Sequence, residues 1–195
     1  MAVAASGRCH TPSSTLGTVS DDFLEEPQRR KAIEVELLRL EESAMYSSQG
    51  QFEQTKQWRS LNYALGIPGS ILAAASGATA LAATAGRVTA GILAIAAAGL
   101  GAILTTINAS HHMNQAASAA NAYLEIQTAA RQCREIDLPH LELEDARQQL
   151  AELTARRGEQ NKTAEAPNRR AYKKAKRNIE GEGGQGYVAD KQGSS

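Results

Sequence analysis

The sequence predicts an all-α membrane protein. A helical hairpin of two transmembrane helices is extended by cytosolic antiparallel helices and followed by two C-terminal helices. Three observations carry this. Within residues 60–124 the only formally charged side chain is Arg87. Two apolar runs, about 63–85 and 88–108, flank it. Each is long enough to cross a hydrocarbon core about 30 Å thick, which takes about 20 helical residues. Apolar residues on both sides of this stretch recur at helical spacing. Gly86 and Arg87 stand where such a hairpin turns around.

Composition limits the alternatives. The chain has 195 residues, 21 Lys/Arg and 21 Asp/Glu, and a formal net charge of zero. Residues 1–59 hold seven cations and nine anions, and residues 125–195 hold thirteen and twelve. Neither part has the basic excess of a nucleic-acid-binding domain, so no nucleic-acid partner is expected. Cys9 and Cys133 lie far apart without metal or redox spacing and read as free thiols in a reducing compartment. Residues 1–5 are too short for the apolar core of a secretory signal, so insertion is expected to use the internal hairpin. The chain divides into a disordered tail over 1–24, one helical domain over 25–180 and a disordered tail over 181–195.

The first helix is expected to start near Pro27, with Asp21, Asp22, Glu25 and Glu26 just ahead of it, where negative charge suits a helix N-terminus. Ile33, Leu37, Leu40 and Ala44 form its apolar stripe. From Ala44 to Trp58 the stripe turns polar, at Ser47, Gln51 and Thr55, which implies loose packing or a partner. Trp58 and Tyr63 precede the apolar run, where amphipathic rings belong as interfacial anchors; Trp58 packed on the returning helix is an equal reading. Gly66 and Pro68 are expected to interrupt and kink the helix at membrane entry, because proline removes a backbone donor and crowds the preceding turn.

The apolar runs are rich in small residues. Gly66, Ser70, Ala73, Gly77, Ala80 and Thr84 line one stripe of the first run. Gly91, Ala94, Ala98, Gly101 and Thr105 line one face of the second, while Ile92, Ile95, Ile103 and Ile107 lie on another. In lipid, helices associate through close backbone approach at small residues. Gly77, Gly91, Ala94, Ala98, Gly101 and Thr105 are therefore the candidate packing and oligomer face, with the bilayer and further copies of the chain as partners. Thr79, Thr84, Thr105 and Thr106 are the candidate polar lining. The alternative is a soluble or peripheral helical interaction or scaffold module, with the Ala-rich hairpin buried against residues 28–58 and 138–179.

After Asn108 no glycine or proline occurs until Pro139, so the helix is expected to continue unbroken. Ala116, Ala119, Ala120, Tyr123, Ile126 and Ala130 supply its packing face against residues 28–58. His111 and His112 point about 100° apart and cannot form an i, i+4 metal pair. Asp137 and Pro139 read as an N-cap and first-turn proline of a helix with heptad-like Leu143, Ala146, Leu150 and Leu153, ending near Gly158. Ala166-Pro167 opens a last helix with Ala171, Ala175 and Ile179 inward. Arg169, Arg170, Lys173, Lys174, Lys176 and Arg177 face outward, either solvated or drawn to anionic lipid.

No catalytic set emerges, so no enzyme activity, cofactor or metal is expected. Residues 181–186 spell G-x-G-x-x-G but follow a basic helix and open none, which fails the context of a dinucleotide site. Asn161-Lys162-Thr163 is a formal glycosylation sequon that matters only in a secretory lumen. There is no P-loop, G-x-S-x-G or H-E-x-x-H. The apolar runs hold no carboxylate, which argues against a proton-coupled transporter.

Several stretches together resemble the SLATT family, the SMODS- and SLOG-associating two-transmembrane effector domain of bacteria. They are Glu41-Glu42-Ser43-Ala44-Met45-Tyr46-Ser47, Gln51-Phe52 with Trp58, and Leu65-Gly66-Ile67-Pro68. They continue with Ala119-Ala120, Tyr123-Leu124, Arg131 with Arg134-Glu135-Ile136-Asp137-Leu138, Glu165-Ala166-Pro167 and Ala171-Tyr172-Lys173-Lys174-Ala175-Lys176. Together they cover about residues 25–180. The resemblance implies a pore-forming effector of the bacterial inner membrane that assembles in antiviral defence. Its trigger would come from a nucleotide-signal cyclase or sensor encoded nearby. Multi-pass topology with both termini cytosolic rests partly on this resemblance, because Lys56, Arg59 and Arg87 give only a mild positive-inside bias.

Overall fold

The computed structural model describes residues 18–82 and 87–181, with side chains described over 25–79 and 88–181. Among the described residues the chain is helical apart from Asn108 and the short connections before α4 and α5, with no strand. Helix α1 spans Thr18–Ala82, α2 Arg87–Ile107, α3 Ala109–Gln132, α4 Leu143–Thr163 and α5 Arg169–Glu180, with a π-helical turn at Cys133–Asp137 after α3. The expected turn residue Gly86 and most of both terminal tails lie outside the described residues, while Arg87 is the first residue of α2.

At 65 residues, α1 is the axis of the molecule. A rise of 1.5 Å per residue makes it about 100 Å long. It begins at Thr18, ahead of the expected start and inside the tail expected to be disordered, and Pro27 lies within it. Glu25 and Glu26 thus fall within its first turns rather than ahead of it. Pro68 also lies inside the helix, so the expected interruption at Gly66–Gly69 does not occur. One missing donor costs a single backbone bond, which a helix of this length survives.

The break sits on the returning side instead. Asn108 has φ 50° and ψ 44°, the left-handed conformation, and separates α2 from α3. Asparagine tolerates this conformation better than most residues, which is why a stretch without glycine or proline still breaks. The amides of His111 and His112 both donate to the Asn108 carbonyl, so α3 starts immediately after α2.

Two different seams hold α1 against α2 and α3. In the body, Ile33, Leu37, Leu40 and Ala44 of α1 pack with Ala119, Tyr123, Ile126, Ala130 and Cys133 around α3. Leu138, Ala146 and Leu153 close this core from the α4 side. The body stripes thus fall on the expected residues.

The C-terminal boundaries differ. Asp137 ends the π-helical turn rather than capping a helix, and α4 starts at Leu143 with Glu142 as its N-cap. Buried Leu138 and the Arg30 guanidinium hold this corner; Arg30 donates to the carbonyls of Leu138 (2.5 Å) and Leu141 (3.0 Å). Helix α4 runs through Gly158 to Thr163. Helix α5 starts after Asn168, not at Pro167. The Asn168 side chain accepts from the amides of Arg170 and Ala171, an N-cap that satisfies two otherwise orphaned donors. Ala171 and Ala175 are buried against the body as expected.

Candidate functional site

The hairpin of α1 and α2 is built on leucines meeting glycines. A Cβ placed on Gly66 would lie 3.8 Å from the Leu104 side chain, and one on Gly69 would lie 3.6 Å from Leu100. Leu93, Ala97, Leu100, Leu104 and Ile107 are the partly covered positions of α2, and Ala90 is buried. Their spacing of three and four places them on one face. One polar tie joins the two helices: the Ser76 hydroxyl donates to the Ala90 carbonyl at 2.9 Å. Side-chain to backbone bonds of this kind fasten helices where water is absent.

The small-residue face expected to pack lies elsewhere. Gly77, Gly91, Ala94, Ala98, Gly101 and Thr105 are all exposed. A Cβ on Gly77, Gly91 or Gly101 would meet nothing within 4 Å. Of the stripe expected in the first run, Ser70, Ala73 and Gly77 are exposed and Gly66 belongs to the seam, while the side chains of Ala80 and Thr84 lie outside the described residues. Two regular 3-4 patterns coexist on α2, and the leucine one is used internally because large side chains fill the gap between helices that glycines on α1 leave. Gly66 thus acts in close packing, together with Gly69.

The outer surface of the hairpin is apolar and uncovered. Ile67, Ile71, Val88, Ile92, Ile95 and Ile103 are 48–76% exposed. The stretch Val88–Asp137 is, among the described residues, the one helical stretch long and apolar enough to cross a membrane, and only 6% of its most apolar window is buried. Among the described residues the body does not fold over the hairpin, so the hairpin is not buried as the alternative reading expects. The hydroxyls of Thr79, Thr105 and Thr106 donate to carbonyls of their own helices. Thr84 lies outside the described residues.

At the base of the hairpin, apolar and polar parts are joined. Trp58 stacks on His112 with ring centroids 4.8 Å apart and planes 17° apart. The Nδ1 of His112 lies 3.2 Å from the Glu165 carboxylate. Trp58 therefore packs on the returning helix, one of the two readings its position allowed. Tyr63 is exposed, five residues further along α1.

Below this, the polar part of α1 is buried, at Ser48, Gln51, Glu53, Gln54 and Thr55. Its partner is the connection between α4 and α5. Gln51 Nε2 donates to the Glu165 carbonyl at 2.5 Å, and Gln54 Oε1 accepts from the Asn168 amide at 2.8 Å. Gln57 Oε1 accepts from Asn168 Nδ2 at 2.6 Å. Gly50 leaves room for Pro167, whose ring would stand 3.1 Å from a Cβ there. Glu53 receives Lys56 at 2.6 Å, Lys174 at 3.0 Å and Asn178 Nδ2 at 3.1 Å. Burial pushes the Glu53 carboxyl up, but the hydrogen bonds from Lys56 and Lys174 outweigh it and hold the carboxyl below its ordinary range.

A cleft of about 460 Å³ opens where α1, α3, the 164–168 connection and α5 meet, lined among others by Tyr46, Gln51, Tyr123, Asn161 and Tyr172. The Tyr123 hydroxyl donates to Asn161 Oδ1 at 2.7 Å across it. The thiol of Cys133, raised by burial and then by Asp137, donates to Gln149 and is buried away from solvent. No family model, no curated protein and no solved structure matches this chain.

Proposed function

We infer that the chain is a membrane effector. Its hairpin crosses the bilayer twice, with both termini and the helical body on the cytosolic side. On activation it assembles through the hairpin and permeabilises the bacterial inner membrane. The observation that carries the membrane part is the aliphatic surface of α1 and α2, which no other described part of the chain shields. A soluble monomer rarely exposes an apolar surface of this extent. At 21 residues α2 is about 32 Å long, matching the hydrocarbon thickness.

Three features support the effector part. The glycine and alanine face of α2 is free after the hairpin has closed, so it is available to a second copy. The body is continuous with the hairpin through α1, so a change at the α4–α5 connection has a rigid route to the membrane. The resemblance to SLATT domains supplies the biological setting: antiviral or conflict systems triggered through a nucleotide-signal partner.

Expression in bacterial cells carrying a membrane-potential dye tests this reading. Depolarisation on activation or overexpression is expected. Intact potential under every activating condition contradicts it. Replacing Gly91, Ala98 and Gly101 with leucine is expected to abolish depolarisation while leaving the chain in the membrane.

A further inference from the structure

We propose that the base of the hairpin carries a cationic collar, made of Arg59, Arg169, Arg170 and Lys173, that binds anionic lipid headgroups on the side of the membrane where the body sits. The inference rests on the hairpin being embedded. It adds a lipid specificity that embedding does not require.

Position comes from the α5 cap. Asn168 is fixed to Gln54 and to Gln57, the residue before Trp58. Helix α5 then runs back along α1, away from the hairpin: Asn178 reaches Glu53, and the Tyr46 hydroxyl donates to Glu180. Its first residues are therefore the ones nearest the apolar segment. Arg169 and Arg170 are at the level of Gln57, and Lys173 is about one turn further back. Arg59 follows Trp58 directly on α1. Arg170 stands 62 positions after the end of the second apolar run at residue 108, so counting charges near the runs misses it.

Charge comes from what is left after pairing. Buried Ala171 and Ala175 turn α5 so that Arg169, Arg170 and Lys173 are exposed. These three and Arg59 form no ion pair with any described residue. By contrast Lys174 is held by Glu53, and Lys176 by Glu180. Anions nearby are few. Glu165 faces His112, Glu159 pairs with Lys162 at 2.7 Å, and Glu53 already holds two lysines. The membrane-proximal part of α3 has no acidic residue before Glu125. A group of unpaired guanidinium and ammonium groups at headgroup level is the arrangement that recruits phosphate-bearing anionic lipid.

The full chain is placed in nanodiscs of phosphatidylcholine alone, or of phosphatidylcholine with about one third phosphatidylglycerol. Lys173 is labelled with a water-soluble amine reagent and read by mass spectrometry, with Lys31 at the far end of α1 as the control. Lys173 labelling is expected to slow about tenfold in the anionic discs and to recover at about 1 M salt, where the Debye length is about 3 Å. Lys31 labelling stays unchanged. The R169Q/R170Q/K173Q variant, with helix content checked by circular dichroism, is read by the lipids that copurify from mixed discs. It enters discs as before but loses its enrichment in phosphatidylglycerol. Equal Lys173 labelling in both discs, or unchanged enrichment in the variant, overturns the proposal. Equal protection by inorganic phosphate in neutral discs also overturns it. A chain that elutes apart from both discs overturns the hairpin reading itself, and that outcome is visible before any label is added.

Discussion

Glu53 shows most clearly how single residues hold the polar base together. Its side chain is 1% exposed and is reached by Lys56, Lys174 and Asn178 from two helices. The folded-state carboxyl lies below its ordinary value of 4.5, so its contribution to stability is present above about pH 4.5 and is lost as pH falls through the lower folded value. Glu53→Gln should remove this acid-limb dependence, which thermal melts over pH 3–6 in detergent will measure. Glu53→Ala should cost about 1–3 kcal/mol, because Asn178 loses its acceptor and the lysines lose their counter-ion. The value is kept modest because both lysine side chains are at least half exposed, at 59% and 50%. At Asn108, replacement by alanine should cost about 1 kcal/mol, since alanine pays the left-handed penalty, and glycine should be tolerated. Denaturation of the two variants under one condition orders them, and an alanine variant at least as stable as the glycine one would contradict this account.

At the scale of elements, the hairpin has an inner and an outer face, and substitutions should separate them. Gly69→Leu places a large side chain where Leu100 already sits and should pry α1 from α2. A Cβ at Gly91 would meet nothing within 4 Å among the described residues, so Gly91→Leu should leave the hairpin closed and weaken only contacts between copies. Cysteine pairs across the Ser76–Ala90 level report closure, and crosslinking between chains reports assembly. Ser76→Ala should cost the hairpin about 0.6 kcal/mol, the typical worth of an interhelical bond in a membrane.

The body stripes were legible in the sequence because Ile33, Leu37, Leu40 and Ala44 follow a single helical period. On α2 the sequence reading singled out a small-residue face and an isoleucine face and missed the leucine seam of Leu93, Leu100 and Leu104, because residue spacing cannot say which face turns toward a partner in the same chain. The polar segment from Ser48 to Thr55 was recognisable as unusual. Its partner was not, since Glu165 and Asn168 lie more than a hundred positions away. The break at Asn108 escaped because asparagine marks a left-handed residue far less often than glycine does.

At the scale of the molecule, one helix of 65 residues belongs to both a polar body and an apolar arm. Among the described residues the body is closed by α3, α4 and α5, and the arm by α2 alone. This unequal covering exposes apolar surface that is costly in water and, on the proposed reading, is met by lipid. It also places the α4–α5 connection, with its bonds to Gln51, Gln54 and Gln57, next to the arm's base, where on the proposed reading a trigger would have the shortest path to the membrane. Washing membranes from expressing cells with alkaline carbonate tests the central claim most directly. An embedded hairpin keeps the full chain in the membrane pellet; release of the chain into the supernatant would contradict the account.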